Sequence, residues 1–188
     1  LHGIDMCEIT PSSVVVVIGG GMIGLLMVQL AKLCGARRVV LLEPVEGKRE
    51  VGIKMGADLA IDPIKEDVKA VLAANGIHRV NTVIECVGNP KTIAQAIDLA
   101  GKKSVVMMFG LTKPDETVEI KPFEVFQKEV VLKASFVNPY TQQRALDLIN
   151  DRKVDVSSMI CECCGLEKLP DILGSAELRR KGKYIITP

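Results

Sequence analysis

From Ser13 onward the chain repeats one alternation: a short β-branched or aliphatic run, a turn, then an apolar stripe at helical spacing. Residues 13–18 (SVVVVI) predict a first strand, and residues 22–34 a helix closed by Gly35. "RRVVLL" at 37–42 is a second strand, a helix over 45–55 closes at Gly56, and "DLAI" makes a short third strand. A helix near 65–75 and "NTVIEC" at 81–86 form the fourth unit; "KTIAQAIDLA" and "KKSVVMMF" form the fifth. A short extended piece near 118, a brief helix at 122–128 and "EVVLKASF" complete the series. Alternation of this kind predicts an α/β fold, a Rossmann-type, doubly wound sheet of six parallel strands in the order 3-2-1-4-5-6 with helices on both faces.

After "NPYT", where Thr141 is expected to cap the helix "QQRALDLIND", the alternation stops. Residues 155–188 predict an extended run (SSMICEC), a helix at 167–174, a charged "ELRRKGK" loop and a last strand, "YIIT". The expected division is a lead-in over 1–10, a nucleotide-binding unit over 11–140 and an α+β return segment over 141–188. The opening "LHGIDMCEI" starts in the middle of an apolar/polar pattern, so the chain reads as part of a longer polypeptide.

The chemistry concentrates where the first strand meets its helix. Gly19-x-Gly21-x-x-Gly24 stands in the strand-to-helix context of a dinucleotide-binding turn. There Gly19 would make the tight turn, Gly21 would let the backbone approach a pyrophosphate, and Gly24 would let helix and strand pack closely. Free N–H groups at the helix start supply an anion site. Glu43 ends the second strand about 20 residues after the last glycine, where an acid accepts from ribose hydroxyls. A carboxylate there repels a 2′-phosphate, which favours NAD(H) over NADP(H). Lys48 and Arg49, just beyond, could reach such a phosphate; the plainer reading makes them a solvated helix face.

Composition narrows the alternatives. Hydrophobic residues reach 48% while aromatics are only 3% with no Trp, as suits parallel strands covered on both faces and leaves few rings for stacking on nucleic acid. A net charge of +1 gives no global pull toward nucleic acid or an anionic membrane. The longest apolar stretch is broken by Gly19, Gly20, Gly21 and Gly24, a poor membrane span. Six cysteines without a disulfide-framework spacing fit a reducing cytoplasm.

Other candidates have plainer readings. Cys161, Cys163 and Cys164 invite a metal, but adjacent cysteines on a strand point to opposite sides, so a structural role is preferred. His2 and His78 are the only histidines, and His78 sits in a polar turn without a suggested partner. Glu85 in "VIEC" is read as facing a helix terminus or solvent in preference to acting as a base.

The motifs "VIGGGMIG", "MGADLAIDP", "VIECVG", "SFVNPYT" and "GKYIITP" together resemble the cofactor domain of zinc-dependent medium-chain dehydrogenases acting on alcohols and polyols, of the sorbitol, threonine and butanediol dehydrogenase type. The resemblance covers nearly the whole chain. It implies that Gly21, Met22 and Ile23 lie beside the pyrophosphate and Glu43 on the adenosine ribose. Cys86, Val87 and Gly88 would line the cleft. Phe109, Gly110 and Leu111 would meet the nicotinamide side, flanked by Ser135, Phe136 and Asn138.

It further implies hydride transfer between an alcohol carbon and NAD, and a homodimer paired through the sixth strands. Zinc and the proton relay are expected in an N-terminal, barrel-like domain outside these residues, so this chain would bind cofactor without turnover. Two other functions share some of these features: an S-adenosylmethionine-dependent methyltransferase, which would want a reversed last strand, and a non-catalytic sensor of nicotinamide redox state.

Overall fold

The computed structural model describes the backbone of residues 1–188 and every side chain except those of Arg179, Arg180 and Lys181. A single turn of helix, α1 (His2–Asp5), precedes the alternating series. That series runs β1 (Val14–Ile18), α2 (Met22–Leu33), β2 (Arg38–Leu42), α3 (Glu46–Lys54), β3 (Leu59–Ile61), α4 (Val68–Ala74), β4 (Thr82–Glu85), α5 (Pro90–Leu99), β5 (Val105–Met108), α6 (Pro122–Lys128) and β6 (Val131–Ala134). The six strands form one parallel sheet in the order β3-β2-β1-β4-β5-β6. β6 runs parallel to β5, so the reversed last strand that a methyltransferase would want is not there.

The β1 side chains explain why the strand is pure Val and Ile. Val15 and Val17 enter one core layer with Met27, Val28 and Ala31 of α2; Val14, Val16 and Ile18 enter the other with Leu72 of α4 and Ala96 of α5. A strand covered on both faces has no position for a polar side chain, and each such Val or Ile contributes about 1.5–3 kcal/mol of burial. Gly24 closes the α2 packing: a Cβ there would overlap the carbonyl oxygen of Gly19.

The end of the chain departs from the sequence reading in places. Thr141 sits at the N-cap of α7 (Gln142–Asn150), yet its side chain makes no capping bond. The hydroxyl donates to the Asn138 carbonyl at 3.3 Å instead. The short extended piece expected near residue 118 joins neither sheet. β7 (Ile160–Cys164) follows a 3-10 turn at Ser157–Met159, and α8 (Leu169–Gly174) follows another at Leu166–Lys168. The charged stretch expected as a loop is largely helix, α9 (Ala176–Lys181), because the Ser175 side chain accepts from the Leu178 N–H and caps it. β8 (Lys183–Ile186) then pairs with β7 in a separate two-stranded parallel sheet.

Both flanking segments attach to the main body. Ile4 and Cys7 are buried in the core, and the Thr82 hydroxyl donates to the Cys7 carbonyl at 3.1 Å. Arg144 on α7 forms a two-pronged ion pair with Asp5, at 2.7 and 3.0 Å. Gln29 on α2 exchanges bonds with the backbone of Asp155, at 2.9 and 2.7 Å. Among the described residues no helix is long and apolar enough to cross a membrane.

Candidate dinucleotide site

At the carboxyl edge of the sheet the chain turns sharply. Gly19 has φ +99°, a conformation closed to most side chains, and its N–H donates to the Leu42 carbonyl at 2.8 Å. Gly21 is the N-cap of α2 with no side-chain cap, and a Cβ there would meet open space. The positive end of α2 therefore faces a cleft of about 450 Å³ lined by Gly20–Leu25, Lys48, Val51, Cys86, Ser158, Met159, Gly182 and Lys183. Two cationic side chains thus line the cleft that the helix N-terminus faces.

A second cleft of about 670 Å³ lies across the same turn. Its walls are Ile18 and Gly19 from β1, Leu42, Glu43 and Pro44 from β2, Pro63 and Ile64 after β3, and Val87, Lys91 and Thr92 near the start of α5. Largely apolar walls that also carry Glu43 and, from α5, Asp98 suit a flat heterocycle joined to a hydroxyl-bearing sugar. Glu43 is only 5% exposed; its Oε2 accepts from the Gly20 N–H at 2.6 Å and its Oε1 from the Val45 N–H at 2.9 Å. These bonds fix the carboxylate against the glycine turn.

Glu85, at the end of β4, is fully buried rather than solvent-facing. Its carboxylate accepts from the Val87 N–H at 2.8 Å, the Gly88 N–H at 3.0 Å and the Thr92 hydroxyl at 2.8 Å. It ties the loop after β4 to the first turn of α5. Its carbonyl accepts from the N–H groups of Phe109 and Gly110, both at 2.9 Å, so one residue organises two loops. Those loops touch backbone to backbone: a Cβ on Gly110 would overlap the nitrogen of Gly88.

Arg49 is not a solvated residue. Its Nη1 donates to the carbonyls of Glu43 and Pro44, both at 2.8 Å, and to Asp62 Oδ2 at 3.3 Å. Lys48, by contrast, lines the first cleft and has no ion pair among the described residues. Lys183 was not singled out from the sequence, although it stands in the motif "GKYIITP"; it comes from the last strand.

The predicted residues fall into three groups. Gly21, Met22, Ile23, Gly24 and Cys86 line the first cleft, and Gly19, Glu43 and Val87 the second. Gly88, Phe109, Gly110, Leu111, Ser135, Phe136 and Asn138 line neither. The Phe109 ring lies where a side chain on Gly3 would go, packed on the core. Leu111 and Phe136 are 91% and 83% exposed, and Asn138 is exposed too. The Ser135 hydroxyl is buried without a hydrogen-bond partner among the described residues.

Burial pushes the Cys7 thiol up to about 12 and the Cys86 thiol higher still, so neither offers a ready thiolate. All six cysteines are free; Cys163 is exposed while Cys164 is buried, as opposite faces of a strand require. No group of three or more His, Cys, Asp or Glu side chains able to hold a metal occurs among the described residues.

The model of a family described as zinc-binding dehydrogenase matches residues 22–151, well over half of the chain. The chain belongs to the zinc-binding dehydrogenase family. D-arabinitol dehydrogenase 1 of Uromyces fabae is 27% identical, aligned over all of this chain and 55% of its own length. An L-threonine 3-dehydrogenase of Caldanaerobacter subterraneus subsp. tengcongensis is 31% identical over 71% of this chain and 37% of its own. The chain thus spans about half the length, or less, of these curated relatives. Among solved structures, one described as a zinc-binding dehydrogenase of Sinorhizobium meliloti 1021, bound to NADP, is 34% identical with a TM-score of 0.94, over all of this chain and 56% of that one. A short chain alcohol dehydrogenase of E. coli CFT073, complexed with NADH, has a TM-score of 0.91 at 22% identity over all of this chain and 56% of its own, a likeness of fold alone.

Proposed function

We propose that this chain is the part of an alcohol or polyol dehydrogenase that binds the nicotinamide dinucleotide, with NAD(H) preferred. The uncapped start of α2, facing a cleft with Lys48 and Lys183 in its walls, carries this reading. A pyrophosphate is the ligand group that such a combination suits best. The adenosine half would enter the larger cleft, with Glu43 at its ribose. Because that carboxylate is already fixed by two N–H groups, it meets ribose hydroxyls as a preorganised acceptor, and a 2′-phosphate as a like charge. Bound nicotinamide would supply the hydride-accepting carbon, and this chain's residues hold and orient it.

Leu111, Ser135, Phe136 and Asn138 would form the nicotinamide end once the remainder of such a protein covers them. That remainder would bring the zinc, the proton relay and the substrate pocket's other wall, leaving residues 1–10 and 141–188 as the segments bordering it. Exposed Leu146, Leu166 and Leu173 support that placement. A second copy would pair along β6, a sheet edge with Val131 and Leu132 exposed at 45% and 37%. Six free cysteines suit a reducing cytoplasm.

The test is a titration of the chain with NADH and NADPH, followed by cofactor fluorescence. Tighter NADH binding, weakened about ten-fold or more in Glu43→Ala, is the expected outcome. Binding of neither nucleotide would sink the proposal, and a preference for NADPH would sink the role given to Glu43.

A further inference from the structure

Arg49 sits on α3, one turn from the loop that carries Glu43, where a guanidinium would be well matched to a 2′-phosphate. It lines neither cleft. Its Nη1 is turned back onto the Glu43 and Pro44 carbonyls and onto Asp62. Asp62, just after β3, has a side chain only 4% exposed, against 19% for Arg49. Asp62 Oδ1 is fixed by the N–H groups of Ile64 and Lys65, at 3.0 and 3.3 Å. Oδ2 is left for cations: Arg49 at 3.3 Å and the exposed Lys65 at 3.8 Å.

The pair joins the loop after β2 to the loop after β3, and both loops wall the larger cleft. We propose that the Asp62–Arg49 ion pair is a selectivity latch, holding the guanidinium away from the cleft so that a 2′-phosphate would meet the Glu43 carboxylate instead of an arginine. Asp62 is then a positioning residue for cofactor choice. The proposal rests on the dinucleotide reading above. It differs from general rigidity in what it expects: breaking the latch releases a cation that only NADPH can use.

Asp62→Asn keeps the shape and an oxygen for the two N–H groups while removing the charge that holds Arg49. Dissociation constants for NADH and NADPH are measured on the wild-type chain, Asp62→Asn, Arg49→Met and the double variant, each with its melting temperature. Asp62→Asn is expected to shift the preference toward NADPH by about ten-fold, and the double variant to lose that gain. An unmoved ratio in folded Asp62→Asn overturns the latch, as does a gain that survives in the double variant, since loss of negative charge alone then explains it. Should Asp62→Asn not fold, Arg49→Met decides: the latch expects NADH and NADPH affinities to fall together, and selective loss of NADPH overturns it. Wild-type chain that binds neither nucleotide overturns the dinucleotide reading and the latch with it.

Discussion

The two halves of the sheet are built from the same repeating unit yet end differently. In the half containing β1 and β2, nearly every strand residue is buried, and the edge at β3 is partly covered. In the other half burial fades outward, from β4, wholly buried, through β5 to β6, which is mostly exposed. Phe123, Phe126, Phe136 and Tyr140 are all exposed on this flank, although the chain has only four Phe and two Tyr. The first half is therefore a finished core with a cleft on its rim, and the second an unfinished surface. The sequence carries only a trace of the difference: β6 has one β-branched residue and a charged Lys133, whereas β5 has two β-branched residues and no charge.

The sharpest way to break the first half is at Gly24. Substituting Val for this glycine places side-chain atoms on the Gly19 carbonyl, and thermal melting should show loss of the cooperative transition. A native-like melt would mean that α2 can move off β1 at little cost. In the second half the matching point is Glu85. Its three hydrogen-bond donors, two of them backbone, lose a buried acceptor in Glu85→Ala, which should cost about 3 kcal/mol in denaturant unfolding. A change below about 1 kcal/mol would show that water or loop relaxation replaces the carboxylate.

Much of the first half was legible in the sequence. The glycine turn and the acid after β2 follow from residues close together in the chain, where geometry leaves few options, and the parallel sheet follows from the alternation of strands and helices. Other features depended on where a long side chain turns. Arg49 looked solvated beside Lys48, but the Glu43 and Pro44 carbonyls together with the more distant Asp62 turn it back. Of the two readings of Glu85, the helix terminus holds, since Thr92 in the first turn of α5 donates to it, and solvent does not, because Val87 and Gly88 of the loop that it shapes also donate to it. Ser175 before Ala176-Glu177-Leu178 was a readable capping signal, masked by the charged residues that follow it.

A smaller effect sharpens the contrast at the open flank. If a second copy covers β6, Leu132→Lys should convert a dimer to monomer in sedimentation while leaving NADH affinity unchanged. An unchanged sedimentation coefficient would remove β6 from the assembly. The smallest effect is expected at the pair joining α1 to α7. Hydrogen bonding to Arg144 holds the Asp5 carboxyl below its usual value of 3.8. A carboxyl lowered on folding stabilises above its unfolded pKa and loses that contribution as pH falls through the folded one. Asp5→Asn should therefore flatten stability against pH slightly below about pH 4, and an unaltered acid limb would show that the exposed pair contributes nothing.

The two clefts lie on either side of one glycine turn, Gly19 walling one and Gly20 and Gly21 the other. For a ligand with two linked heads, occupancy of the first makes entry of the second an intramolecular event, at an effective concentration set by the length of the bridge. The turn thus acts as a ruler: detached mononucleotides would each hold weakly, while a molecule whose linker matches the crest gains from both clefts without any new contact.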